Sequence, residues 1–411
     1  MMTPTKKRSL IFLFFFFSLL ISLFFKENSS GGSEIDFTIT RQFVEVFHFG
    51  FLKGMQNSIN IGQIHSPLFY MLIAYSENIL SPAIIKIGYT TISSLLPIIV
   101  YIILKKKYKY ADKNYLFAIA SVIYFSPYFR SSSSWLTNDN IALIFFSLAI
   151  SKYCSVENNK NIFKNFFICF FYLSIASYFR QYYAIFSIFF LIESYKKLNF
   201  NKFIILINLN LILATPAFIY LYLYIKKNNI DDNALKPDFI KNILIFLSIF
   251  LFYFIPIIFN KNYLTKIINF LKKEKLITLI LLAVFIFFNL NYNIKELSSN
   301  LGGGIIYKIC NNINNNIIYY FICFLSSLII YNFAKFNKIN LLIFFCLIFA
   351  FPFTIIYQKY FDPLLWIITF GLIKSDIIYE CVNNKNINIK FTYLFFITFF
   401  ILSNVYQILY K

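Results

Sequence analysis

The sequence predicts an all-α fold: a polytopic transmembrane helical bundle of about 11–13 spans with a long first external loop carrying amphipathic and short helices. Composition is the first of three observations behind this. Of 411 residues, 59% are hydrophobic, and the mean hydropathy is +0.68, well outside the makeup of a water-soluble domain. The second is run length. Apolar stretches of roughly 14 to 22 residues recur along the chain without period-2 alternation, whereas a membrane barrel reads as alternating segments of about 10 residues. Only helices and closed barrels satisfy every backbone hydrogen bond in lipid, so losing the barrel leaves helices. The third is the scarcity of breakers: 10 Gly and 10 Pro against 56 Phe and 31 Tyr.

A net charge of +21 would point to nucleic acid in a soluble protein. Here the positive residues sit between apolar runs, where basic cytoplasmic loops set topology and lie against anionic headgroups. The six cysteines, Cys154, Cys169, Cys310, Cys323, Cys346 and Cys381, are scattered with no metal-ligand or disulfide spacing and read as packing residues.

In chain order, Met1 to Arg8 is basic and Ser9 to Phe25 apolar. An uncleaved anchor is the expectation, since the Phe-rich run lacks a small-residue cleavage pattern, with a signal peptide cleaved near Ser29, Ser30, Gly31 and Gly32 as the alternative. Residues 26–81 form the first external loop, polar and amphipathic up to Ser66 and apolar from Pro67 to Leu80. Further spans read as 82–104, 115–128, 140–154, 166–179, 182–195, 203–225, 239–258, 276–290, 317–334, 339–357, 363–373 and 391–409, so residues 1–411 make a single integral membrane domain. Several of these are shorter than the about 20 residues that cross a bilayer, and must tilt, borrow flanks or enter partway. With Lys6, Lys7 and Arg8 in the cytoplasm and sides alternating, about 24 of the 38 Lys and Arg fall inside. Most carboxylates, among them Glu34, Asp36, Glu45, Glu77, Asp139, Glu296 and Asp362, fall outside.

Five places carry residues suited to chemistry. Glu34-Ile35-Asp36 begins nine residues beyond the end of the first span at Phe25, and a carboxylate close to the membrane surface can serve as general base toward a hydroxyl. The alternative is a solvated loop acid. In His65-Ser66-Pro67-Leu68-Phe69-Tyr70, helix-start chemistry accounts for Ser66 and Pro67 and leaves His65 as a candidate ligand. The outer loop Pro127 to Asp139 holds Arg130, a phosphate-type donor, and Asp139, which opens a helix as a cap or first-turn residue. Tyr178-Phe179-Arg180-Gln181-Tyr182-Tyr183 puts an Arg between two apolar runs, where it is either functional or snorkelling at a tight turn. Tyr357-Gln358-Lys359-Tyr360-Phe361-Asp362-Pro363 offers Lys359 to neutralise a phosphate, with Tyr360 and Trp366 equally suited to the interface.

Together, in this order, these places resemble the C-type glycosyltransferase superfamily, polytopic enzymes that take a sugar from a polyprenyl-phosphate carrier. The lipid-linked oligosaccharide α-1,2-glucosyltransferase family is the nearest match. It shares an early acidic pair, as at Glu34 and Asp36, and a "TPPGLY"-like turn, as at His65 to Tyr70. It also shares an "FRQ", as at Phe179-Arg180-Gln181, and a late "DPRY"-like element, near Lys359 to Pro363. Two departures stand out: Phe37 follows Asp36 where the family has an adjacent acid, and Lys359 and Tyr360 precede Asp362. The resemblance implies transfer of a sugar to an acceptor hydroxyl on the external or lumenal side, with inversion and with Asp36 as catalytic base. Glu34, His65, Arg130, Asp139, Arg180, Gln181, Lys359 and Tyr360 would then bind substrate. Its partners would be membrane lipids, the polyprenyl-phosphate sugar and a glycan, lipid or protein acceptor. The sequence demands no metal, though a divalent ion is compatible with the superfamily. A multi-pass transporter or lipid-linked saccharide flippase is the main alternative and a non-catalytic scaffold a third. Against a transporter stand the absence of repeated halves and the few intramembrane charges, Lys86 and Arg180. The membrane is that of the endoplasmic reticulum or the cell surface.

Overall fold

The computed structural model describes residues 4–62, 65–157, 161–228, 238–259, 261–298 and 302–409. Its elements are helices, with no strand among the described residues. Among the described residues seven are long and apolar enough to cross a bilayer: Pro82–Lys107, Asp139–Val156, Ile162–Phe179, Phe200–Lys227, Phe239–Ile258, Asn316–Phe336 and Ile389–Leu409. An eighth span is available from Thr265–Lys273 and Lys275–Asn291, which meet at 96°, and Arg8–Phe24 and Ile339–Phe349 are shorter apolar helices. The chain is a multi-pass α-helical membrane protein.

The remaining stretches expected as spans are broken into short pieces. Residues 115–128 divide into Lys113–Ser121, a 3-10 turn at Val122–Phe125 and the start of a new helix at Pro127, which Ser126 caps through Phe129 N–H at 3.0 Å. Residues 182–195 begin as a 3-10 turn, Gln181–Ile185, because Arg180 is extended (φ −143°, ψ 107°) and ends the preceding helix. Residues 363–373 shorten to Leu364–Gly371, entered through a cis Asp362-Pro363 bond.

The chain forms two compact units, Met1–Ile230 with Phe396–Lys411, and Asp231–Phe395. The first contains, in order, α1 (Pro4–Phe24), α2 (Ser33–Phe47), α3 (Phe51–Asn60), α4 (Leu68–Glu77), α5 (Pro82–Ser93), α6 (Leu95–Lys107), α7 (Lys113–Ser121), α8 (Pro127–Ser134), α9 (Asp139–Val156), α10 (Ile162–Phe179), α11 (Phe186–Tyr195) and α12 (Phe200–Asn228). Its core is aromatic. Tyr153 of α9 meets Phe189 and Phe190 of α11 at 5.5 and 5.6 Å between ring centroids, and Phe146 meets Tyr183 at 4.7 Å, separations at which edge and tilted ring pairs attract. α12 instead leaves Leu211, Ile212, Phe218 and Ile219 exposed, the composition of a lipid-facing surface.

α2 and α3 are short and amphipathic, as expected for the loop at 26–81. α2 buries Ser33, Thr40, Val44 and Phe47, a 3–4 spacing that selects one helical face. Gly54 of α3 lets that helix approach: a Cβ there would lie 2.4 Å from the Phe47 ring.

In the second unit, Phe239–Ile258 carries Phe246, Phe250 and Phe254 at intervals of four residues, stacking down one face. Phe250 also meets Phe344, and Phe254 meets Phe333, each at 5.4 Å.

Candidate functional site

α2 presents Asp36 and Glu34 differently. Two residues on a helix are about 200° apart, so Glu34 is exposed while Asp36 is half-buried on the inward side. α2 packs against α4, and four of the expected residues lie about the loop before α4, the start of α9 and the end of α10. Arg180 Nη2 donates to Asp139 Oδ2 at 2.8 Å, and Gln181 Oε1 lies 3.2 Å from His65 Nδ1. Asp36, Asp139 and Arg180 all lie within electrostatic reach of the His65 ring. Asn138 ties the loops together, its amide donating to Phe179 O at 2.9 Å, and Tyr89 of α5 donates its hydroxyl to Thr137 O beneath them.

Asp139 is in the first turn of α9, as the sequence indicates, but its carboxylate reaches across to Arg180, 41 residues away. A side chain that charges the site is therefore also the one that orients Arg180. The Arg180 side chain is 15% exposed, and its Nε is buried without a hydrogen-bond partner among the described residues. A buried, unfilled donor is costly unless something meets it. His65 is pushed down to about 4, first by burial and then by the Arg180 charge, with Gln181, Asp139 and Asp36 pulling the other way. Near neutral pH the ring is uncharged and can accept a hydrogen bond as well as donate one.

Arg130 is engaged otherwise. The stretch from Pro127 is a short helix, α8, rather than an open outer loop, and Ser131, Ser132, Ser133 and Ser134 are all buried in it. The hydroxyls find partners: Ser29 and Ser131 at 3.0 Å, Ser22 and Ser134 at 2.9 Å, and Ser132 with Thr137 at 2.7 Å. Such pairing is what lets a polar helix sit inside an apolar bundle. Arg130 uses its fork on Glu27, with Nε 3.0 Å from both carboxylate oxygens and Nη2 2.8 Å from Oε2, and on Ser18 Oγ at 2.9 Å and Ser18 O at 3.2 Å. The guanidinium also lies 4.8 Å from the Phe400 ring centroid. It locks α8 to the end of α1, and its donors are committed to the protein.

Lys359 and Tyr360 belong to the second unit, in a 3-10 turn at Gln358–Tyr360. Tyr360 stacks on Phe351 at 4.9 Å, and Lys359 Nζ lies 5.5 Å from the Tyr357 ring. Buried Gln358 holds the turn, accepting from Ile305 N at 2.8 Å and donating to Tyr253 Oη at 3.2 Å.

Two participants escaped sequence reasoning. Glu27, the acid that neutralises Arg130, sits directly after the first span, and an acid there is a natural partner for a later buried Arg. Tyr89 carries no sequence signal, being one of 31 tyrosines. Comparison with protein-family models, with curated proteins and with solved structures finds no match.

Proposed function

We propose that the chain is a membrane glycosyltransferase of the C-type class, moving a sugar from a polyprenyl-phosphate donor to an acceptor hydroxyl. The observation that carries this reading is the pairing of Arg180 with Asp139 and of Gln181 with His65, with Asp36 in electrostatic reach of the His65 ring. It joins residues 36, 65, 139 and 180, which are remote in sequence, and it pairs a carboxylate with a cation bearing an unfilled buried donor.

Asp36 accepts the proton of the acceptor hydroxyl as that oxygen bonds to the anomeric carbon. The bond from that carbon to the phosphate oxygen breaks, and polyprenyl phosphate leaves with the electron pair. Arg180, held by Asp139, donates to a substrate oxygen that gains charge in this step. His65, kept neutral and held by Gln181, hydrogen-bonds a sugar or acceptor hydroxyl. The reaction needs only residues of the first unit. The N-terminus is cytoplasmic and the site external or lumenal, as the bias of basic loops supports, in the membrane of the endoplasmic reticulum or the cell surface.

The stereochemistry tests the mechanism. A β-linked polyprenyl-phosphate hexose gives an α-linked product by in-line displacement, read by NMR of the anomeric proton. A β-linked product is inconsistent with a single displacement using Asp36 as base.

A further inference from the structure

Asp139 and Arg180 stand at one end of the α9–α10 pair, and the other end of the same helices carries a cleft of about 710 Å³. Lys164, Lys197 and Lys202 line it, with Asn161, Asn199 and Phe163 between them. Two turnings of the chain build it. α10 begins at Ile162, after Asn161 in a left-handed backbone (φ 48°, ψ 56°). α11 ends at Tyr195 and α12 begins at Phe200, where Asn199 Oδ1 accepts from Lys202 N at 3.2 Å. Lys164 lies in the first turn of α10 and Arg180 just past its end, a rise of about 24 Å at 1.5 Å per residue. Cleft and candidate site are therefore at opposite ends. The basic N-terminus shares the end with the cleft: Lys106 Nζ donates to Ser151 O near the end of α9 at 2.9 Å, and Arg8 Nη1 donates to Asn114 Oδ1 at the start of α7 at 3.1 Å.

The charge in the cleft is uncommitted. Among the described residues no hydrogen bond or ion pair reaches the Nζ of Lys164, Lys197 or Lys202, and no carboxylate lines the cleft. Glu193, four residues before Lys197, is buried and spent elsewhere: it accepts from Tyr153 Oη at 2.5 Å and pairs with Lys196 at 3.4 Å. Lys197 Nζ lies 5.6 Å from the Tyr153 ring centroid, a contact that holds the ammonium in place without neutralising it.

Three like charges around one cleft repel one another until an anion meets them. Ammonium groups bind phosphate as point charges, whereas carboxylates are matched by the arginine fork, and no arginine lines the cleft. Its volume is that of a small-molecule pocket.

We propose that Lys164, Lys197 and Lys202 bind a multiply charged phosphate ligand, either a lipid headgroup in the adjoining leaflet or a phosphate free in solution. The site is separate from the donor phosphate of the proposed transfer reaction, which meets Arg180 at the other end, and it stands whether or not the chain transfers sugar.

The test is binding by the purified full chain in phosphatidylcholine nanodiscs, with pyrophosphate, inositol trisphosphate, a phosphoinositide carried in the disc, and citrate as separate probes. A phosphate probe is expected to bind saturably and to weaken about tenfold in Lys197→Gln, with Lys105→Gln, in the last turn of α6 and outside the cleft, unchanged. The tighter of the free phosphates and the phosphoinositide assigns the source, and either supports the site. Absence of saturable phosphate binding, citrate binding as tightly as the phosphates, or equal weakening in Lys105→Gln overturns it. So does a Lys197→Gln protein of unchanged affinity. Should Lys197→Gln fail to give monodisperse protein, Lys202→Gln at an exposed position decides in the same way: weaker phosphate binding supports the site and unchanged binding removes it.

Discussion

Arg180 and Asp139, 2.8 Å apart, fix the loop that carries Gln181, and Gln181 in turn holds His65. His65 gives this arrangement a pH signature. Its ordinary value is 6.5, and in the folded chain it falls to about 4. Between those values the unfolded chain binds a proton that the folded chain does not. Stability from this residue is therefore complete above about 6.5 and declines as pH falls toward about 4. Thermal unfolding in detergent is expected to show a midpoint that drops over this window, and His65→Gln to flatten that part of the profile. An unchanged slope in His65→Gln would place the acid sensitivity elsewhere. Across pH 7 to 8 the ring stays neutral, so transfer activity is expected to show no His65 titration there.

At the scale of elements, α8 and its Arg130 show why a polar segment survives inside an apolar bundle. Removing one member of a buried ion pair leaves the other uncompensated, at about 3–5 kcal/mol. Glu27→Gln is therefore expected to lower the unfolding midpoint sharply, and Glu27→Gln combined with Arg130→Met to recover part of the loss. Equal midpoints for Glu27→Gln and wild type would contradict the locking role. The α2–α3 corner makes a second prediction. Gly54→Ala drives a methyl into the Phe47 ring and should destabilise by about 1–3 kcal/mol, measured by thermal or protease challenge. Arg130 was legible in the sequence as a special cation, but its partner was not, because ion pairing across 103 residues depends on packing that no local pattern records. Asp139 was legible as a helix-start acid for the same local reason, and its reach to Arg180 was hidden by the same limit.

Across the whole molecule, hydrophobic run length made the helical membrane fold legible, since the bilayer leaves the backbone little choice. Span number was less legible. Run length counts apolar residues, while helix length depends on where breaks fall, such as the capped Ser126-Pro127 and the extended Arg180. The division into two units was invisible, because the polar stretch 226–238 at the boundary reads like any other loop between spans and the chain returns to the first unit at Phe396. The candidate site was half legible: Gln181 lies against His65 and Asp139 pairs with Arg180, with Asp36 in electrostatic reach of the His65 ring, whereas Arg130 turns to structure. The most direct measurement is sugar transfer by the purified chain in proteoliposomes, supplied with a panel of polyprenyl-phosphate hexoses and lipid-linked glycan acceptors, in wild type and Asp36→Asn. With Asp36 as base, a labelled acceptor is expected with wild type and a loss of about 10²–10⁴-fold in Asp36→Asn, with the variant still folded. Full transfer by Asp36→Asn, or labelled lipid crossing the bilayer without transfer in wild type, would contradict sugar transfer with that base.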